Sequence, residues 1–374
     1  MKAFDSENLG GRDRTPRATL KPSAVLDSLL AARGGSISTE EFMRAALYHP
    51  EAGYYALNVR NIGRRGDFST AATLSPALGH AIARWAMKRR RALKPRWHWN
   101  LIEAGAGTGQ LARAVLEGLS PLDRARVVYH IVEVSPALRR LQEEALAGRR
   151  ARWHNSVNDA LSDASGEALI FSNELVDAFP CLQVVRTGKQ WSKVMVARSN
   201  EGFEERFVPL DDKRLSDWPA SAIARGDRFA EGQRCELHLD YAEWLRSFSR
   251  EFKRGWLLTI DYGESIESLY HRHPGGTLRG YSFHSMAQGL EIYERFGQQD
   301  LTADVNFTDL ITWGEICGLR ATRFETQRDF IIRNLPDAER RARRDAALAF
   351  VLNPQGMGEA FKVLEQAKIR GESG

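Results

Sequence analysis

The stretch LIEAGAGTGQL at residues 101–111 decides the fold. Its first half is apolar and β-like, its middle carries Gly105, Gly107 and Gly109, and its end reads into a helix. Glycines at this spacing permit a tight strand-to-helix turn and let a ligand approach the backbone without interference from Cβ atoms. A dinucleotide fingerprint would need glycine where this chain has Gln110, and no GxxxxGK[ST] phosphate loop occurs anywhere. GxGxG at the opening of the helix suits S-adenosylmethionine, which has no pyrophosphate to cradle. Glu133 ends the next β-rich run, 24 residues after Gly109, where a carboxylate can accept hydrogen bonds from both ribose hydroxyls. The plainer alternative is a tight turn with an exposed acid at a strand tip; the position of the acid and the strand pattern around it favour the ligand.

Outward from this loop, β-rich runs at 99–105, 127–134, 168–174 and 256–263 alternate with helical patterns at 110–119 and 136–147. Continuous apolar strands separated by helices predict an α/β fold with a parallel sheet covered on both faces. Upstream, residues 36–48 read as a helix capped by Ser38 or Thr39, followed by a glycine-punctuated loop over 53–66 and an amphipathic helix over 74–91. Residues 181–250 interrupt the alternation with a hairpin about Thr187–Gly188–Lys189 and a closing helix near 241–252. The C-terminal part predicts a helix at 309–317, a strand at 322–325 and a last helix at 359–368. The division is therefore a flexible lead-in (1–35), a helical cover and lid (36–98), a cofactor-binding core (99–180), an inserted α+β substrate region (181–250), and the rest of the core with C-terminal helices (251–374).

Composition narrows the classes. The 374 residues are 43% hydrophobic and 27% charged, enough to bury a large core and too ordered a mix for a disordered chain. No apolar run reaches the ~18–20 residues that span a bilayer, so no membrane role is expected. Lys and Arg number 53 against 48 Asp and Glu, and a net charge of +5 is too small to argue for nucleic acid. The basic run Lys88–Arg91, beside Trp97 and Trp99, reads as a solvated helix C-terminus rather than a nucleic-acid patch. The three cysteines are far apart and the nine histidines form no zinc-type spacing, so neither a disulfide scaffold nor a metal is expected. The N-terminus carries acids at Asp5, Glu7 and Asp13 and has no hydrophobic signal core, which predicts a cytoplasmic location, with the mitochondrial matrix as the alternative.

Longer blocks of the sequence resemble the MidA-type class I methyltransferases. They include EEFMRAALYHPEAGYY (40–55), GRRGDFST (63–70), YHIVEVSPALRRLQ (129–142) and SNELVDAFPCLQVVRTGKQW (172–191). TIDYG (259–263), GGTLRGY (275–281), QDLTADVNFTDL (299–310) and GMGEAFKVL (356–364) follow in the family's order. The resemblance runs from about Ile37 to Lys368 and implies a Rossmann-like seven-stranded sheet and methyl transfer from S-adenosylmethionine. The family includes a mitochondrial complex I assembly factor that methylates an arginine on a subunit of that complex. Residues 71–80 and 282–285 depart from the family pattern, which leaves two acceptor classes open, a protein arginine and a small molecule with a carboxylate, hydroxyl or amine. A non-catalytic assembly or scaffold protein on the same fold is the third reading. The intact glycine loop and Glu133 weigh against it. A homodimer is compatible with all three.

Candidate site residues follow. Glu103, Gly105, Gly107, Thr108 and Gly109 would hold the methionine part, Glu133 the ribose, and His154 with Asn155 the adenine edge. By resemblance, Gly66, Asp67 and Thr70 close over the cofactor as a lid, and Asn173 lies beside it. Glu174, Asp177 and Asp261 follow the ends of the two central strands, the edge at which open α/β sheets bind ligands. A guanidinium acceptor, with a pKa above about 12, needs carboxylates to orient it and take its proton. Glu174 and Asp261 lead as catalytic candidates and Asp177 follows; capping of the next turn is the alternative for each.

Overall fold

The computed structural model describes residues 21–57, 74–95, 97–282 and 285–368. The main sheet has seven strands: β1 (Trp99–Ala104), β2 (Val127–Val132), β3 (Ala151–His154), β4 (Glu167–Asn173), β5 (Arg254–Glu264), β6 (Arg320–Thr326) and β7 (Phe361–Lys368). Their spatial order is β3-β2-β1-β4-β5-β7-β6, and the two-residue strand Val305–Asn306 adds to the end of β5. β1 to β5 run parallel, and β7 lies antiparallel to both β5 and β6. Strand order reverses between β1 and β4, so the crevice for a ligand lies at their C-terminal ends, beside the glycine loop and Glu174.

Alternation along the strands explains the two-sided burial. Leu101, Tyr129, Phe171 and Leu258 pack with Trp85 and Phe330 in one core. Ile102, Ile170 and Leu257 point the other way, against Phe248 and Trp313. A third core, with Leu26, Phe42, Phe203 and Tyr293, lies outside the sheet. The helices used below are α1 (Pro22–Ala32), α2 (Thr39–Tyr48), α3 (Ala77–Leu93), α4 (Gln110–Gly118), α5 (Pro136–Ala145) and α6 (Val157–Asp163).

Ser38 caps α2 in a full capping box with Glu41, but Ser36–Ser38 itself is a strand, so the helix starts three residues later than expected. That strand pairs antiparallel with Gln190–Ser199. The segments read as a cover and as an insertion thus share one five-stranded sheet, completed by Leu182–Thr187, Gly202–Pro209 and Arg234–Leu237.

The helix expected at 359–368 is instead the strand β7, buried along nearly its whole length. Its Lys, Glu, Gln and Ala suggest a helix, yet tertiary partners satisfy its polar groups inside the sheet. Glu365, 1% exposed, accepts from Trp85 Nε1 at 2.5 Å, from Arg89 and from Thr322 Oγ1 at 2.6 Å. The basic run at 88–91 is spent in the same way: Arg89 pairs with Glu365, Arg90 with Asp123, and Lys88 donates to Asn334. Cys181, Cys235 and Cys317 are buried free thiols.

Candidate active site

β1 delivers its last residues into the turn that carries the three glycines, all at positive φ (73°, 51° and 79°). A Cβ at Gly105 would lie 2.8 Å from Leu175 Cδ1, so that position is closed by packing. At Gly107 a Cβ would meet nothing within 4 Å; this glycine faces open space and satisfies a left-handed turn. Thr108 follows it in the turn, half-buried.

Glu133 stands one residue beyond β2 and is 8% exposed. Its Oε1 accepts from the Ser135 backbone N–H at 2.8 Å and its Oε2 from Gln142 Nε2 at 3.1 Å. Burial raises its pKa, opposed by these donors and by Arg139. Gln142, fully buried on α5, is the residue that sequence reasoning missed. Its Nε2 also donates to the Gly107 carbonyl at 2.8 Å, and its Oε1 accepts from Trp153 Nε1 at 3.0 Å. One side chain therefore fixes the glycine loop, the acid and β3 together. A buried polar residue on the inward face of an amphipathic helix was the available signal.

Arg139 completes this edge. It donates to the carbonyls of Glu133 and His154 and to Asn155 Oδ1, which aligns the segment expected to meet the base. Asn155 is exposed, and His154 turns its ring toward His130. Glu103 is almost fully buried in β1, where Tyr129 Oη donates to it at 2.6 Å and burial pushes its pKa up to about 7. Gly66, Asp67 and Thr70 lie outside the described residues.

Across the switch point the chemistry is different. Asn173 ends β4 and donates through Nδ2 to Glu174 Oε1 at 2.9 Å, while its own Oδ1 is buried with no partner among the described residues. Glu174 adopts φ 52°, a left-handed conformation that a non-glycine residue rarely holds without a reason. Burial, and then the charge of Asp177, push its carboxyl up to about 8. Asp177 accepts through Oδ2 from Tyr262 and from Thr302 Oγ1, and its buried Oδ1 has no partner among the described residues.

Asp261 has a different posting from the one expected. Its Oδ2 accepts from the backbone N–H groups of Leu175, Val176 and Asp177 at 3.2, 2.8 and 3.3 Å, and its Oδ1 from Tyr262 at 2.9 Å. With no exposure and four backbone donors, this carboxylate holds the loop 175–177 in shape, the capping alternative raised for it.

Glu174 and Tyr262 line a cleft of about 610 Å³ together with Arg279, Tyr281, Asp304 and Met357. Arg279 pairs with Asp304 at 2.7 Å and sits 5.1 and 5.7 Å from the ring centres of Tyr262 and Tyr281. Glu264 in the same wall pairs with Lys362 and Arg272.

The family model described as "Putative S-adenosyl-L-methionine-dependent methyltransferase" matches residues 81–325. The chain belongs to this family. It is 29% identical to the mitochondrial protein arginine methyltransferase NDUFAF7 homolog of Drosophila melanogaster, over 73% of this chain and 65% of that protein. To the NDUFAF7 of Danio rerio it is 27% identical, over 90% of this chain and 85% of that one. A superfamily member from Burkholderia thailandensis, solved with S-adenosyl-homocysteine, superposes with a TM-score of 0.79 at 28% identity, covering 97% of this chain and 95% of that chain. The protein is a Rossmann-like class I methyltransferase that depends on S-adenosylmethionine.

Proposed function

We propose that the protein methylates an arginine side chain of a protein acceptor, with Glu174 as the carboxylate that receives the acceptor's proton. The observation that carries this reading is Glu174 itself: a strained residue with its carboxyl pushed up to about 8, on the wall of an open cleft beyond the C-terminal ends of β4 and β5. Strain and a raised carboxyl pKa at one residue mark a functional site more often than a packing role. The names of the fly and zebrafish relatives support the arginine.

The residues present fit the cofactor. Open space over Gly107 leaves room for it, and the buried, unpartnered Asn173 Oδ1 offers an acceptor beside the loop. Gly105, Gly107, Thr108 and Gly109 would hold the methionine part, Glu133 the ribose, and Asn155 the base edge; the His154 ring, expected there too, is spent on His130 and Asp163 instead. S-adenosylmethionine supplies an electrophilic methyl group on its sulfonium. The protein's own task is to align the acceptor nitrogen at ~3–3.5 Å, exclude water and remove one proton. Glu174 takes that proton on its carboxylate. Asp177 orients Tyr262 at the cleft wall, and Asp261 keeps the 175–177 loop in place.

A small-molecule acceptor is the second reading. The cleft volume of about 610 Å³ lies inside the range of roughly 300–1,000 Å³ found for small-ligand pockets. Incubation with methyl-tritiated S-adenosylmethionine and an acceptor pool, followed by acid hydrolysis of the protein fraction, separates the two. Label in methylarginine supports the first reading, and label confined to the extractable small molecules supports the second. Label in neither overturns both. For location, the mitochondrial naming of the relatives makes the matrix the favoured proposal and the cytoplasm the alternative. No helix among the described residues is long and apolar enough to cross a membrane.

A further inference from the structure

We infer that His130, His154 and Asp163 form a binding site for a divalent transition-metal ion of the zinc class, on the edge of the sheet behind the cofactor crevice. The three come from separate elements: β2, the end of β3 and the end of α6. In the parallel ladder His130 faces Arg152, and His154 lies two residues further along the same strand, so both imidazoles project from one face. α6 brings Asp163 over that face.

The donor atoms are already gathered. His130 Nδ1 lies 2.9 Å from His154 Nε2 and 3.6 Å from Asp163 Oδ2, and the last two atoms are 3.8 Å apart. A tetrahedral zinc ion with nitrogen and oxygen ligands has ligand-to-ligand edges of about 3.3 Å, which these three distances bracket. The circle through the three atoms has a radius of about 2.0 Å, close to that of one face of a tetrahedron with bonds of about 2.1 Å, so an ion seated just out of their plane keeps its fourth position open. Two imidazoles and a carboxylate are a donor set that suits zinc and its neighbours and leaves one position for water.

Asn100 fixes the tautomer that a ligand requires. Its Nδ2 donates to the Glu167 carbonyl at 3.1 Å, so its Oδ1 is the atom facing His130 Nε2 at 3.1 Å. Nε2 must therefore carry the hydrogen, and the lone pair on Nδ1 points into the cluster, the outer-shell arrangement typical of metal-bound histidine. Without a metal, His154 Nε2–H donates to that lone pair. On binding, the ion takes the place of this hydrogen, which moves to Nδ1 of the same ring through solvent, so no net proton is released.

One group opposes the ion. Arg152 NH1 donates to both oxygens of Asp163, at 2.8 and 2.7 Å, from an exposed side chain. The site also touches the cofactor edge, because the His154 carbonyl accepts from the Glu133 N–H at 3.1 Å.

The test uses the full chain, stripped with chelator and titrated with zinc chloride by calorimetry, with cobalt(II) absorption as a second readout. Wild type should take up one equivalent and give the visible bands of a low-coordinate cobalt site. Asp163→Asn, at a partly exposed position, should weaken binding at least about tenfold. Arg152→Gln, which frees the carboxylate, should tighten it. A paired loss and gain from two surface substitutions cannot arise from misfolding, which would only weaken. The inference is overturned if wild type takes up no stoichiometric zinc, or if both variants bind as wild type does.

Discussion

The two sides of the switch point are built on opposite principles. On the cofactor side, Glu133 has a donor on each oxygen and Gln142 uses both ends of its amide. On the acceptor side, Glu174 sits in a left-handed conformation, and the buried Oδ1 of Asp177 lacks a partner among the described residues. One half is satisfied before any ligand arrives. The other carries a buried oxygen without a partner among the described residues and a strained backbone, and such a group is expensive to leave unpaired. Preorganised binding and stored strain thus sit on neighbouring strands, with β4 as the boundary.

Breaking the strained half should cost most. Glu174→Gln is expected to lower kcat by about 10²–10⁴-fold, the usual contribution of a positioned base. The affinity for S-adenosylmethionine should hardly change, which paired turnover and calorimetric measurements would check. If affinity falls instead, Glu174 belongs to the cofactor side and the contrast collapses. Glu133→Ala attacks the satisfied half and should weaken the cofactor by roughly 1.5–3 kcal/mol, about 10–150-fold in Kd by calorimetry.

The third expectation uses pH. The Glu174 carboxyl is raised from its ordinary 4.5 to about 8, so between these values the folded protein keeps a proton that the unfolded chain has lost. Its contribution to stability is full below about pH 4.5 and lost as pH rises through about 8. Wild-type Tm should therefore decline with pH relative to Glu174→Gln, while wild-type kcat rises over the same window as the carboxylate forms. Parallel Tm profiles for the two proteins would remove Glu174 from the acceptor role. The smallest effect belongs to Asn155→Ala: the side chain is exposed and Arg139 already occupies its Oδ1. A change in cofactor Kd below about threefold is expected.

The same contrast marks what the sequence made legible. Leu101, Ile102, Leu169 and Ile170 sit in continuous apolar runs because both faces of a parallel strand are covered, and those runs were readable. The turn of Gly105, Gly107 and Gly109 and the place of Glu133 just past β2 were readable, because a sharp strand-to-helix turn calls for positive φ and the apolar run ends at the acid. β7 was not, since Lys362, Glu365 and Gln366 look like a helix surface until Trp85, Arg89 and Thr322 are found around Glu365. Gln142 hid for a similar reason: its partners at Gly107, Glu133 and Trp153 come from three other elements. The histidine cluster carried no spacing signal at all, because positions 130, 154 and 163 meet only through strand pairing and α6. The role of Asp261 as a clasp on backbone amides 84–86 residues away was likewise invisible in one dimension.

The position of β7 has a consequence for assembly. It is the seventh main-sheet strand to be synthesised, yet it lies between β5 and β6. Until it arrives, β5 and β6 each present an open ladder to other chains, a template for aggregation. Truncation before Phe361 would therefore not trim the sheet at its rim but split it in two, and a nascent chain passes through that same divided state every time it is made.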